Sequence, residues 1–279
     1  MRFTKMHGAG NDYVYVNGFE ETIADPAALA VPMSDRHFGV GADGLILMLP
    51  PQAGGDVRMR MFNADGSESE MCGNGVRCLA ALAVTSGVVA GDTVRVETLA
   101  GLREVRLVRD AAGRIVKGSV LMGRPILDPA EIPVRVSCDR AVDVPLDVAG
   151  RRLTMTCVSM GNPHAVFYVD DAADWPLTDL GPQIERHEAF PARVNVHAVQ
   201  VVSPGEIIIR TWERGSGVTL ACGTGASAVC VAGVLTGRTG RSVLAHVPGG
   251  DLELEWPAAD APVRLTGPVQ AVFRGEWPA

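Results

Sequence analysis

Met71-Cys72-Gly73-Asn74-Gly75 and Ala221-Cys222-Gly223-Thr224-Gly225 are two versions of one phrase. In each, a cysteine is followed by Gly-x-Gly and then by a short apolar run of helical character that stops at a glycine, Gly87 or Gly237. The second copy lies 150 residues after the first in a chain of 279. At the same ungapped offset Arg60 matches Arg210, Val84 matches Val234 and Phe62 falls opposite Trp212. A weaker echo joins Gly10-Asn11-Asp12-Tyr13 to Gly161-Asn162-Pro163-His164, each ahead of an apolar strand. The pattern predicts a duplicated half-domain with one reactive thiol per copy.

Around these phrases the chain reads as short strands. Val57–Met61 alternates apolar and charged residues, as a half-buried strand should. Ile207–Ile209 stands at the matching place in the second half and is more fully apolar. Further strands are predicted at 94–98, 105–108, 119–122, 154–158, 166–169, 199–202, 243–247, 252–256 and 269–273. Their close spacing between Gly, Pro and Asp suggests antiparallel meanders. Helices are fewer: 26–31 and the stretches after Gly75 and Gly225. The last two are apolar nearly all round, which predicts burial. The expected fold is α/β of the α+β kind. It has two pseudo-symmetric domains, each a rolled, mostly antiparallel sheet around a central helix. The seam is placed at Gly123-Arg124-Pro125, dividing residues 1–122 from 123–267, with about 268–279 returning to the first half.

An apolar share of 47% and a charged share of 20% fit a chain able to bury a core. A net charge of −7, without any Lys/Arg block, argues against a nucleic-acid partner. The N-terminus lacks the apolar region of a signal peptide, and no apolar run approaches a membrane span. A cytoplasmic protein is expected, with its six cysteines reduced. There is no C-x-x-C or H-x-x-x-H for zinc, and no Gly-Lys-Ser/Thr phosphate loop.

A thiol just before a helix feels the positive end of the helix dipole and the unpaired N–H groups of the first turn. Both favour thiolate, and the same N–H groups bind a carboxylate. The flanking glycines let backbone donors approach a ligand closely. Two such helix ends would put a thiolate on one face of a carbon and a thiol on the other. That suits inversion of a stereocentre, in which one sulfur removes the Cα proton and the other delivers one. A lone cysteine is more often a buried structural residue, and Cys78, Cys138, Cys157 and Cys230 are read that way. The duplicated Gly-x-Gly setting sets Cys72 and Cys222 apart. Glu213-Arg214-Gly215 precedes the second cysteine. An Arg there could clamp a carboxylate, and a Glu could bind an ammonium or tune a thiol; a surface ion pair is the plainer reading. Asn63 matches Glu213 in the first half. Asn11, Asn162 and Asn195 adjoin strand-like runs, and His164 could modulate a proton donor.

These residues closely resemble the diaminopimelate epimerase family, in lysine and peptidoglycan-precursor synthesis. The matching segments are 5–12, 41–44, 62–67, 71–78, 161–164 and 213–217 leading into 221–225. The resemblance implies a site in the cleft between two α/β domains and a two-base mechanism without cofactor, pyridoxal phosphate or metal. It implies that Cys72 and Cys222 are the acid/base pair and that His164 and Glu213 tune them. Gly73, Asn74, Gly223 and Thr224 would hold the reacting carboxylate through backbone donors. Asn11, Asn63, Asn162, Asn195, Glu213 and Arg214 would bind the other polar groups, several at the distal amino-acid head. Some relatives carry Gln where Gly44 stands, so Gly44 is left out of the site. The implied partners are a small-molecule substrate and a second copy of the chain, with no nucleic acid and no membrane.

Three other readings compete. A proline racemase type shares Cys-Gly-Thr-Gly but not the early Lys-Met-His-Gly block. A thiol redox protein would use Cys72 and Cys222 as a disulfide pair, but would not need the duplicated glycines. A non-catalytic amino-acid binder would need only one helix end.

Overall fold

The computed structural model describes residues 1–278; Ala279, at the end of the returning segment 268–279, lies outside the described residues. In chain order the elements are β1 (Arg2–Gly8), β2 (Asn11–Asn17), α1 (Pro26–Ser34), β3 (Gly44–Leu49), β4 (Val57–Asn63), β5 (Glu68–Ser69), α2 (Gly73–Thr85), β6 (Thr93–Thr98), β7 (Gly101–Arg109) and β8 (Ile115–Gly123). They continue as β9 (Val144–Val148), β10 (Arg151–Ser159), β11 (Pro163–Tyr168), α3 (Leu177–Glu185), β12 (Asn195–Ser203), β13 (Glu206–Glu213), β14 (Gly217–Thr219), α4 (Gly223–Leu235), β15 (Ser242–Val247), β16 (Gly250–Glu255), β17 (Val263–Pro268) and β18 (Gln270–Glu276). Contacts divide the chain into two compact units, one holding Met1–Leu121 and the stretch from Thr266 onward, the other Met122–Leu265.

The two units repeat one topology. In the first, β1–β2, β3–β4, β6–β7 and β7–β8 pair antiparallel, and β18 lies antiparallel on the other side of β1. Two parallel pairs interrupt this pattern: β2 with β3, joined through α1, and β4 with β6, joined through β5 and α2. In the second, β9–β10, β10–β11, β12–β13 and β15–β16 are antiparallel. The parallel pairs recur as β11 with β12 through α3, and β13 with β15 through β14 and α4. Each unit is therefore mostly antiparallel, with a parallel step wherever a helix makes the crossover. The meander reading missed these four steps because a strand's own pattern does not reveal its neighbour's direction.

The inner strands β3 and β11 are buried on both faces, while β7, β16 and β18 expose one face or more. In β3, Leu45 and Leu47 pack with Val14, Val16, Ala30, Met33 and Phe62 under α1. Ile46 points to the opposite side, where its Cδ1 lies 2.7 Å from the place a Cβ on Gly75 of α2 would take. β3 consequently has no polar face and no alternation to mark it as a strand in the sequence. The helix α3 was also missed. It contains Gly181 and Pro182, lacks a side-chain N-cap, and is held by tertiary packing. A Cβ at Gly181 would lie 2.7 Å from Cγ of Trp212, so the glycine there admits the indole. Trp212 then donates from Nε1 to Glu185 Oε2 at 2.7 Å. α2 is buried from Gly73 to Ala83 and α4 from Gly225 to Gly233, as apolar helices inside a sheet must be. Among the described residues no helix is long and apolar enough to cross a membrane.

Candidate active site

The first unit supplies one group of predicted residues. The turn between β1 and β2 places Ala9 at φ 53 and Gly10 at φ 80, so that Asn11 opens β2. Cys72 is the N-cap of α2, in extended conformation (φ −127, ψ 124). Its sulfur accepts the Gly75 N–H at 3.4 Å and donates to Asn11 Oδ1 at 3.2 Å. Asn11 Nδ2 in turn donates to Asp43 Oδ2 at 2.8 Å, which fixes which end of the amide faces the thiol. Asn74 Nδ2 reaches the same Asn11 oxygen at 3.5 Å. The N–H groups of Gly73 and Asn74 belong to the first turn, where helix geometry provides no intrahelical acceptor. Asn63 lies opposite Gly44 across β3 and β4, its Nδ2 donating to Ser67 Oγ at 3.0 Å within the turn that ends β4.

The framework behind Asn11 is ionic. Arg36 bridges Asp12 and Asp43, both at 2.8 Å, and Lys5 pairs with Asp12 at 2.5 Å. Burial works against ionisation of Asp12, but its bonds to Arg36 and Lys5 hold it below its ordinary value. Tyr13 and Asp43 were not singled out from the sequence. Burial first, and Cys72 second, push the Tyr13 phenol well above its ordinary value. At Gly44 a Cβ would meet Phe62 O at 2.1 Å and Tyr13 Cε1 at 3.0 Å, so here the β4 backbone first, and Tyr13 second, leave no room for a side chain.

The second unit supplies the other group. Cys222 is the N-cap of α4 with nearly the same backbone (φ −125, ψ 108). It is only 9% exposed, whereas Cys72 is half-buried. Its sulfur lies 3.6 Å from Thr224 Oγ1. Burial first, then the Glu213 carboxylate, push the Cys222 thiol well above its ordinary value; the Thr224 hydroxyl and the Gly225 N–H pull the other way. Glu213, the last residue of β13, accepts from Thr219 Oγ1 at 2.9 Å. Asn195 commits both ends of its amide to backbone, donating to Pro163 O at 2.8 Å and accepting from Arg214 N at 3.0 Å. One Nδ2 hydrogen remains for any further contact. The exposed Arg214 guanidinium donates to Ala192 O at 2.8 Å.

His164 touches Asn162 and His197 rather than the thiol. Its Nε2 is 2.8 Å from Asn162 Oδ1, and its Nδ1 is 2.9 Å from His197 Nε2. His197 Nδ1 is 2.9 Å from Thr211 Oγ1. Because the amide oxygen only accepts, the chain has one direction. Thr211 O–H donates to His197, His197 Nε2–H to His164, and His164 Nε2–H to Asn162. Burial lowers His164 well below its ordinary value and His197 to about 3, so both rings stay neutral. Neutral His164 thus donates to Asn162 and fixes the orientation of its amide. His197 was not anticipated. Its ring lies under the first turn of α4, where a Cβ on Gly225 would meet its Cε1 at 2.3 Å and Cys222 Sγ at 3.1 Å. In the sequence His197 reads as one more residue of a buried strand.

The remaining cysteines carry no such setting. Burial pushes Cys78 to about 11 and Cys230 to about 12, and raises Cys157 as well. Cys138 is exposed and donates to Arg140 O at 3.1 Å.

Residues 3–127 and 156–272 match the family described as Diaminopimelate epimerase. A diaminopimelate epimerase of Desulforudis audaxviator is 53% identical over 278 residues, covering 99% of each chain. One of Methanococcus maripaludis is 45% identical over 276 residues, again with 99% of each covered. Among solved structures, a probable proline racemase from Agrobacterium radiobacter superposes with a TM-score of 0.71 at 17% identity, covering 99% of this chain and 92% of that one. A phenazine biosynthesis protein of the PhzF family from Bacillus anthracis gives 0.69 at 15% identity, covering 100% and 99%. The two structures establish a shared fold. With half of its residues identical to such relatives over nearly its whole length, the chain belongs to the diaminopimelate epimerase family.

Proposed function

We infer that this protein epimerises L,L-diaminopimelate to meso-diaminopimelate by proton transfer at Cα, in lysine and peptidoglycan-precursor synthesis. The observation that carries the chemistry is a thiol at the N-cap of the equivalent buried helix in each of two repeated units. Family membership supplies the substrate.

In this reading Cys72 and Cys222 are the two bases. One, as thiolate, takes the Cα proton, and the other, as thiol, returns a proton to the opposite face. The N–H groups of Gly73, Asn74, Gly223 and Thr224 receive the reacting carboxylate. They stabilise the charge that grows on it as the proton leaves. Asn11, Asn63, Asn162 and Asn195 serve the other polar groups. Glu213 and Arg214 complement the ammonium and carboxylate of the distal head, which a substrate with a single head would leave unfilled. The mechanism needs only side chains and backbone. The domain division proposed is 1–122 with about 268–279, and 123–267; the pairing of β18 with β1 supports it. A homodimer in the cytoplasm completes the proposal, on the strength of the family resemblance, and sedimentation of the purified protein tests the dimer.

The reaction itself is tested by incubating reduced protein with L,L-diaminopimelate in deuterated water, following deuterium at Cα and the meso isomer. Cys72→Ala and Cys222→Ala should each lower meso formation by about 10³-fold. Absence of exchange and product in folded wild-type protein, with proline exchanged instead, would sink the reading.

A further inference from the structure

Arg77 is a fully buried guanidinium in the first half-site. It lies on α2, one turn past Cys72. Its Nη1 donates to Gly73 O at 3.0 Å and its Nη2 to Asn74 Oδ1 at 2.8 Å, while Nε has no partner. Among the described residues no carboxylate forms an ion pair with it. The fold makes room for it with two glycines. A Cβ on Gly118 of β8 would press on its stem at 3.1 to 3.3 Å, and one on Gly8 of β1 would lie 3.2 Å from Nη2. A buried charge without a counter-ion is costly, and a cation near a helix N-terminus is repelled by the dipole as well. Such a placement persists where something anionic compensates it. The second half-site has no such cation: Ser227 stands in the equivalent place, its hydroxyl donating to Gly223 O at 2.9 Å.

We propose that Arg77 is a positioning residue of the epimerase site, holding Asn74 and the Gly73 carbonyl while its fixed charge favours the thiolate of Cys72. The proposal deepens the epimerase reading and rests on it for the role of Cys72. Arg77 is electrostatically linked to Cys72 and also to Cys78 and Tyr15. Those two cannot neutralise it, because burial pushes Cys78 to about 11 and Tyr15 well above its ordinary value. Tyr13 of β2 is likewise held neutral. On strands packed around α2, Arg58 of β4 and Arg103 of β7 have no carboxylate partner among the described residues and add positive charge, while other charged groups are paired among themselves. On β1, Lys5 pairs with Asp12; on β4, Arg60 pairs with Glu68. On β6, Arg95 pairs with Asp56 and Glu97 accepts from the N–H groups of Gln52, Ala53 and Gly55. On β7, Glu104 pairs with Arg106, and β3 brings only apolar side chains.

The test is alkylation of substrate-free enzyme by iodoacetamide across pH, with Cys72 and Cys222 resolved by peptide mass spectrometry. Because no turnover is needed, failure here is distinguishable from failure of the epimerase reading. In Arg77→Met the half-maximal pH for Cys72 should rise by about one unit, with Cys222 unmoved. Arg77→Lys should restore the Cys72 profile but keep a raised KM, since an ammonium lacks the fork that spans Gly73 and Asn74. A folded Arg77→Met protein whose Cys72 profile is unchanged overturns the proposal, whatever its activity. Should Arg77→Met fail to fold, Arg77→Gln, which keeps hydrogen-bond donors without the charge, decides: its Cys72 profile should shift to higher pH as well, and an unchanged profile overturns the proposal.

Discussion

Cys72 and Cys222 cap equivalent helices with almost the same backbone angles, yet their surroundings differ in sign and in access. Cys72 is half-buried, accepts a backbone N–H, donates to Asn11 and shares its helix with the buried Arg77 cation. Cys222 is more deeply buried, and the Glu213 carboxylate adds to the burial that keeps it protonated. Duplication supplied the geometry, and divergence at positions 63/213 and 77/227 supplied a bias. In the proposed two-base reaction, the two copies, alike in shape and unlike in charge, would supply one base and one acid.

That contrast can be broken most directly at Glu213. In Glu213→Gln the carboxylate no longer opposes ionisation, so Cys222 alkylation should begin at lower pH while Cys72 is unaffected. The lost charge-assisted contact should cut kcat/KM for L,L-diaminopimelate by about 10²-fold. An unmoved Cys222 profile would remove Glu213 from the account of the asymmetry.

The two helix starts also differ in what lies beneath them. A methyl at Gly225 would meet the ring of His197 at 2.3 Å, whereas one at Gly75 meets the ends of Ile46 and Met59 at 2.7 and 3.3 Å. Gly225→Ala should lose about 1–3 kcal/mol by overpacking. Gly75→Ala should be nearly neutral, since side-chain ends can give way and alanine gains about 1 kcal/mol of helix preference. Urea denaturation of the two variants measures the difference, and equal losses would erase the distinction.

The most gradual effect concerns the histidine chain, found among the described residues in the second unit. His197 is lowered from 6.5 to about 3 on folding. Above pH 6.5 both folded and unfolded rings are neutral, so its contribution is fully present. As pH falls from 6.5 toward 3 the unfolded state takes up a proton that the folded state refuses, and stability is lost. His197→Gln removes this term. The gap in Tm between wild type and variant should therefore narrow below pH 6.5, by roughly 2–4 °C per pH unit. A gap independent of pH would mean that the ring titrates freely when folded.

The chemistry was more legible in the sequence than the architecture that supports it. Cys-Gly-x-Gly announces itself because few residue types combine a nucleophile with a backbone that approaches a ligand. Asn74 lies within that phrase, Asn11 in its weaker echo, and Glu213 shortly before the second copy, so the sequence draws the eye to each. Arg77 could not. Within an apolar helix one arginine reads as a solvated edge, and only the glycines at 8 and 118, distant in sequence, reveal the space made for it. Tyr13 and His197 were hidden for the same reason, since each is an ordinary strand residue until the fold sets it against a helix start. Helix α3, with its internal Gly181 and Pro182, has poor local preference and depends on Trp212 and the core around Leu177, Leu180 and Ile184.

The pairing of β18 with β1 carries a consequence for synthesis on the ribosome. The strands β9 to β16 form a sheet from a continuous run of chain and can close as soon as that run has emerged. The first unit, although its chain is made earlier, must hold β1 with an unpaired edge until β18 is translated. The order of emergence and the order of completion are thus reversed, and the half that starts first is the one most exposed to aggregation or chaperone capture while it waits.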